Sequence, residues 1–387
     1  MKKLFGVMLA VLAAFGLGSC KKDNNYYETK VQPVIVPEEN RKIKDIAGRE
    51  VELPEKISRV CAIGAGALRL YSYVADVDYI CAVERIENET QQNNKNAPLR
   101  LYYEKNKEYF TKLPFCGLGG KMETTPNEEE LLRAKPDVIF SAHPVEAIEK
   151  LQARINIPVV RIFYHINDIK DPDLIESLKI IGKVMNKSAR AEELINYING
   201  ELASIVAATK DKETTPIYYA CNSKSGQRGI QSTVAGYSIF DVANVKNIID
   251  ALEPEGAKLP KYYTDFSLEI LKRLNPKRII VDGGGIGMLK NDFANPNTRA
   301  ILESIDAFKN NEVYVQLPCN AYQSNVEMEL IDSYYAASVA YPEVYNREFV
   351  VSKTREITQK FLGEDFYDLI MERVPEALNK LDLSIVM

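Results

Sequence analysis

The feature that most constrains this chain is one strand and helix alternation that runs, stops at a long proline-free helical stretch, and starts again. Short apolar runs at 59–63, 79–83, 137–142 and 158–163 read as strands, with helical material at 66–75, 128–134 and 144–154. The pattern restarts with a strand at 216–220, followed by a loop at 221–232 and helices at 234–242 and 267–273. A strand at 278–282, a glycine-rich turn at 283–287, a strand at 312–317 and helices at 325–339 and 350–361 complete it. Between the two series, apolar positions at Leu174, Leu178, Ile181 and Val184, then at Leu194, Ile195, Ile198, Leu202, Ile205 and Val206, have helical spacing without a proline. A single helix from Ser188 to Ala208 would span about 30 Å at ~1.5 Å per residue, enough to act as a strut between two lobes. The expected class is α/β with two lobes. Length agrees, since 387 residues are more than one hydrophobic core usually serves.

Ahead of the first strand, Lys2 and Lys3 precede an apolar run from Leu4 to Leu17 that is too short for an ordinary membrane span. The run closes on Leu17-Gly18-Ser19-Cys20, which resembles the lipobox of bacterial lipoproteins. Residues 1–19 are therefore expected to be a lipoprotein signal peptide, with Cys20 the lipidated first residue and 20–42 a tether into an extracytoplasmic compartment. The remaining boundaries are 43–186 for a first lobe, 187–210 for a connecting helix and 211–387 for a second lobe.

Composition excludes some partners. Acidic residues outnumber basic ones by 54 to 49, for a net charge of -5, so there is no broad basic field to hold a nucleic-acid backbone. Cys61, Cys81, Cys116, Cys221 and Cys319 are an odd set, so at least one is expected free. Cys61 and Cys81 lie in apolar strand-like runs, where a buried thiol acts as a small hydrophobe and a bond between neighbouring strands is the alternative. The 22 tyrosines, against two histidines and no tryptophan, supply flat amphipathic area suited to gripping a bulky ligand.

Several segments carry a family likeness. IKDIAGREVELPEKISRV, PNEEELLRAKPDVIFSA, IPVVRI and GKVMNKSARAEELINYI in the first half, then QSTVAG, DFSLEILKRLNPKRIIV, VYVQLP and AYPEVYNREF in the second, stand in order along nearly all of the mature chain. Together they resemble the class III, or cluster A-2, solute-binding proteins of bacterial ABC importers, whose members carry iron-siderophores, haem and cobalamin. The resemblance implies two Rossmann-like lobes with central, mostly parallel sheets, a single long backbone helix and a ligand cleft between the lobes. It implies no intrinsic cofactor, a bound metal chelate as ligand, and a monomer that docks on a permease dimer with its ATPase subunits. One exposed glutamate per lobe would dock, and Glu129 and Glu269 fall on those positions. The chain departs from the family between Glu84 and Cys116, where a long Asn-rich, Gln-rich and Tyr-rich stretch reads as a surface loop in which Tyr102, Tyr103 and Tyr109 either cover the cleft or pack beneath the loop.

Candidate ligand contacts follow from strand ends, because open parallel sheets bind at the carboxyl edge. On the first lobe that edge carries Arg85, His143, Tyr164 and His165, the two histidines being able to ligate a metal or hydrogen-bond a chelate. On the second lobe, Lys224 and Arg228 would form an electropositive wall, with Asn320 and Tyr322 completing the floor. A small oxyanion such as molybdate or tungstate, or a nickel complex, is the alternative cargo. An extracytoplasmic enzyme is the other reading, but GxSxG, HExxH and a Ser, His and Asp set on strand ends are all missing from the sequence.

Overall fold

In the computed structural model, which describes residues 31–92, 99–120, 125–224, 226–252 and 261–387, the first apolar runs pair into a four-stranded parallel sheet. Its strands are Val60–Ile63 (β1), Ile80–Ala82 (β2), Val138–Ser141 (β3) and Val159–Arg161 (β4), in the order β2-β1-β3-β4. Every residue of β1, β2 and β3 is buried, because helices cover both faces of the sheet, and this explains why the runs lack alternation. A hairpin of 42–44 with 50–52, turning at Gly48, precedes β1. The helices of this half are Ala67–Val74 (α1), Arg85–Gln92 (α2), Leu101–Phe110 (α3), Glu128–Ala134 (α4), Val145–Ile155 (α5) and Pro172–Val184 (α6).

α2 and α3 correct the expectation of a surface loop after Glu84. Leu101, Tyr102, Tyr103 and Phe110 form a buried face of α3, while Glu104, Lys107 and Glu108 keep the other side polar. Inside, the Arg100 guanidinium meets the Glu87 carboxylate at 2.6 Å, and the Tyr102 hydroxyl donates to the same carboxylate. Tyr102 and Tyr103 are thus core residues rather than cleft contacts. The Tyr109 hydroxyl caps the backbone carbonyls of Asp78 and Ile80.

The second half follows the helix Ser188–Thr209 (α7), whose 22 residues span about 33 Å. Its sheet has the order β8-β7-β6-β5, made of Ile217–Ala220 (β5), Arg278–Asp282 (β6), Val313–Gln316 (β7) and Asn379–Lys380 (β8). β5, β6 and β7 are parallel, and the short β8 closes the edge antiparallel to β7. Helices here are Ser238–Val242 (α8), Leu268–Leu274 (α9), Ile286–Ala294 (α10), Pro296–Leu302 (α11), Asp306–Lys309 (α12), Val326–Ala340 (α13), Arg347–Leu362 (α14) and Tyr367–Arg373 (α15).

Two local readings of this half change. Residues 233–234 pair antiparallel with 262–263, so the helix expected from 234 begins only at Ser238. The glycine turn after β6 opens into α10 and α11, which the sequence reading passed over. Asp282 caps the turn by accepting from the Gly284 N–H at 2.8 Å, and Asn295 caps α11 with Pro296 in its first turn. α7 packs on α1 and α6 of the first half and on α8 and α13 of the second, so it contacts both sides along its length. α14 lies on α13 and reaches α1 and α3. Cys61, Cys81, Cys116, Cys221 and Cys319 are buried thiols outside any disulfide, with the Cys61 and Cys81 sulfurs 3.7 Å apart.

Candidate functional site

Strand order reverses at β1, which has β2 on one side and β3 on the other, and such a switch point opens a crevice at the carboxyl edge of a parallel sheet. That crevice is partly filled. Gly66, at φ 84, lets the Tyr164 ring press against the start of α1, and a Cβ there would fall 2.5 Å from the ring. His143 also turns inward. Its ring Nδ1 is 3.1 Å from Ser141 Oγ, and its carbonyl accepts from Arg161 Nε at 3.3 Å.

The second half sends its 318–325 segment, the loop after β7, into the same crevice. Arg69, fully buried in α1, donates to Asn325 Oδ1 at 3.1 Å, to the Tyr164 hydroxyl at 2.7 Å and to the carbonyls of Ala321 and Tyr322 at 2.5 and 3.3 Å. Burial alone would weaken this cation, but the nearby Tyr164, Tyr102 and Tyr73 phenols and the Glu327 carboxyl outweigh it, so the guanidinium stays charged. The Tyr164 hydroxyl in turn donates to the Ser324 carbonyl at 2.6 Å, and the Asn167 N–H donates to Ser324 Oγ at 2.8 Å. Tyr164 is therefore a joint between the halves with its hydroxyl already engaged.

Beside this joint a cavity of about 780 Å³ lies against the strand ends of the second sheet. Lys224, Asn320 and Tyr322 line it together with Ser223 and Gly284 of the second half and Leu99 of the first. Its size is that of a pocket for a small organic ligand. The Lys224 ammonium sits 3.3 Å from the centre of the Tyr262 ring, and partial burial, with Lys261 nearby, lowers its pKa from the ordinary lysine value. Among the expected contacts, these three are the ones the cavity gathers. Arg228 is exposed on the preceding loop, and Arg85 is exposed with its guanidinium 4.9 Å over the Phe115 ring. Neither histidine lines the cavity.

His165 takes a different place. Its side chain is exposed, stands edge-on to Phe163, and brings Nδ1 within 3.0 Å of Asp171 Oδ2. One ligand atom each from His165, Asp171 and Asp173 lie within 4.8 Å of one another, a donor set that suits a divalent ion or the polar rim of a metal complex. The aspartates went unnoticed in the sequence because they read as the start of a helix, which they also are: Asp171 caps α6 by accepting from the Asp173 N–H.

Away from the crevice, Glu129 and Glu269 each occupy the second position of a seven-residue helix, α4 and α9, and both are exposed. Glu129 pairs with Arg133 at 2.8 Å on the surface. Cys20 lies outside the described residues.

A family model described as "Periplasmic binding protein" matches residues 116–318. No curated protein matches the chain. Among solved structures, an ABC transporter solute binding protein from Sulfurospirillum deleyianum is 23% identical with a TM-score of 0.62, over 87% of this chain and 99% of that one. A periplasmic solute binding protein from Veillonella parvula is 16% identical with a TM-score of 0.66, over 89% and 97%. The molybdate periplasmic binding protein MolA from Haemophilus influenzae, bound to molybdate, is 19% identical with a TM-score of 0.62, over 84% and 98%. At these identities the likeness is one of fold.

Proposed function

From the premise that the chain belongs to the periplasmic binding protein family, we propose that it is the solute-capturing component of an ABC importer and takes up a metal-associated ligand outside the cytoplasm. The family's members are non-catalytic transport components, so the role is to bind and deliver cargo unchanged. The observation that carries the reading is the cavity at the strand ends, where a lysine and an amide converge beside the Tyr322 side chain at the joint of the two halves. Such a lining offers a cation and hydrogen-bond donors to the acidic oxygens of a chelate. His165, Asp171 and Asp173 add metal-ligating capacity on the first-half side.

The cargo on this reading is a metal chelate of the iron-siderophore, haem or corrinoid kind, bound by a monomer tethered to the membrane through Cys20. Glu129 and Glu269 would dock on the permease dimer. The likeness to MolA supports a small oxyanion as the second reading. Elemental analysis and an absorbance spectrum of the protein purified from its own host test both. Stoichiometric iron or cobalt with a ligand band in the visible range is the expected result. Molybdenum or tungsten without such a band would establish the second reading, and the absence of any metal and any chromophore would overturn both.

A further inference from the structure

The loop after β7 doubles back in a tight turn, bridged antiparallel between Asn320 and Ser324, and carries two left-handed residues at its tip. Tyr322 and Gln323 have φ angles of 51 and 86, the only consecutive non-glycine pair in the left-handed region among the described residues. Lys135, Asn156 and Asn275 are left-handed too, but each ends a helix, where that conformation is routine. Tyr322 and Gln323 end no helix, and a bulky residue in this region is held there only by its surroundings.

The turn is closed by its own bonds, the Ala321 N–H donating to the Gln323 carbonyl at 3.0 Å and the Asn325 N–H to the Cys319 carbonyl at 2.7 Å, and the two residues at its tip reach the first half. Gln323 Nε2 donates to the Tyr164 carbonyl at 2.8 Å. The Tyr322 hydroxyl donates to Glu84 Oε2 at 2.9 Å and accepts from the Gly120 N–H at 3.1 Å. The same Glu84 oxygen accepts from the Gly64 N–H at 3.0 Å, and Glu84 is 2% exposed. One phenol and one carboxylate oxygen thus join the loop after β1, the loop after β2, the segment ending at Gly120 and the loop after β7. Burial raises the Tyr322 pKa, with Glu84 adding to the effect, which keeps the phenol protonated as a donor.

We propose that Tyr322 and Glu84 form a clasp that sets the separation of the two ligand-facing edges before any ligand arrives, with both acting as positioning residues. The sequence placed Tyr322 on the floor of the ligand site. In the structure its hydroxyl is already committed across the joint, and only the rest of the side chain lines the cavity. The turn carries the side chain to where its hydroxyl reaches Glu84 and Gly120. The proposal rests on the transport reading only for its consequence, since the separation of the two halves exists without ligand.

The test is the distance distribution between spin labels at Lys150 and Asn297, two exposed positions in opposite halves, in ligand-free protein. Labels are attached through a ketone-bearing unnatural residue, because five native thiols are present in the described residues. Wild type should give one narrow distribution. Tyr322→Phe, which removes a single oxygen, should broaden it at least twofold, and Glu84→Ala should do the same. Glu84→Gln retains an acceptor oxygen and should restore the narrow distribution. A wild-type width in Tyr322→Phe, or equal broadening in Glu84→Gln and Glu84→Ala, would overturn the clasp. Protein that carries no metal but shows the expected distributions would sink the transport reading and leave the clasp standing.

Discussion

At the scale of single residues, Arg69 has most to say about how this molecule holds together. In the run Ala67-Leu68-Arg69-Leu70-Tyr71 it reads as the polar side of a helix, yet it is entirely buried. Apart from the Tyr164 hydroxyl, its acceptors come from positions more than 250 residues further along the chain, so no local pattern could have announced its role. Replacing it by methionine, which roughly matches its stem, leaves the Asn325 side chain and two carbonyls without their donor. Arg69→Met should cost about 3–5 kcal/mol, read as a lower midpoint in urea unfolding, and a loss below about 1 kcal/mol would show that the joint is held elsewhere. Lys224, Asn320 and Tyr322 were legible as lining of a crevice because each stands in a loop just past a strand. His143 and Tyr164 stand there too, but a strand end can turn its side chain into the joint as readily as into the ligand, and sequence does not distinguish these outcomes.

At the scale of elements, two modules repeat at a constant spacing. Asn127 caps α4, and Ser267, exactly the corresponding residue 140 positions later by numbering, caps α9. Each helix has seven residues, buries a leucine at Leu131 or Leu271, ends on a left-handed residue at Lys135 or Asn275, and passes through Pro136 or Pro276 into a sheet strand. Glu129 and Glu269 occupy matching exposed positions. The sequence resemblance pointed to these glutamates, whereas the repeat around them became visible only through the caps and turns. If they dock on two like subunits, Glu129→Ala/Glu269→Ala should abolish uptake in cells while leaving ligand affinity within about twofold of wild type, at roughly 0.4 kcal/mol by the usual conversion. A normal uptake rate in the double variant would remove them from the interface. Strands were readable as short fully apolar runs, but α2, α3, α10 and α11 were not. In α3 a tyrosine-rich face hid the core, and at α10 the glycines of the capping turn hid the helix start.

At the scale of the whole molecule, the second half buries carboxyl groups whose hydrogen bonds offset only part of the cost of burial. Glu327, Glu329 and Asp332 lie on α13 and Asp282 ends β6, all within 1% exposure. Burial is the largest influence on each and raises its pKa, in Glu329 up to about 8. Asp168 raises the Glu329 value further, and the Ser324 hydroxyl, the Asn167 N–H and the more distant Arg69 lower it. In the unfolded chain these groups ionise in the ordinary carboxylate range, near 4.5 for glutamate. The native state therefore binds more protons between that range and pH 8, so this contribution to stability is full below about 4.5 and is lost as the pH rises through 8. The thermal midpoint should be lower at pH 9 than at pH 6, and Glu329→Gln should flatten the difference. A midpoint that rises with pH over that interval would contradict the assignment.

The depth at which the 318–325 segment enters the first half also bears on how the chain folds. A buried guanidinium at residue 69 waits for partners at 321, 322 and 325, so the first half has no complete interior until most of the polypeptide exists. Contacts of such long sequence separation close late and slow the search for the native state. For a periplasmic binding protein that crossed the membrane unfolded, such a delay would be an advantage, because the first half lacks the partners of its buried arginine until the last segment arrives. The joint that stiffens the finished molecule is, during synthesis and export, what keeps the unfinished one soft.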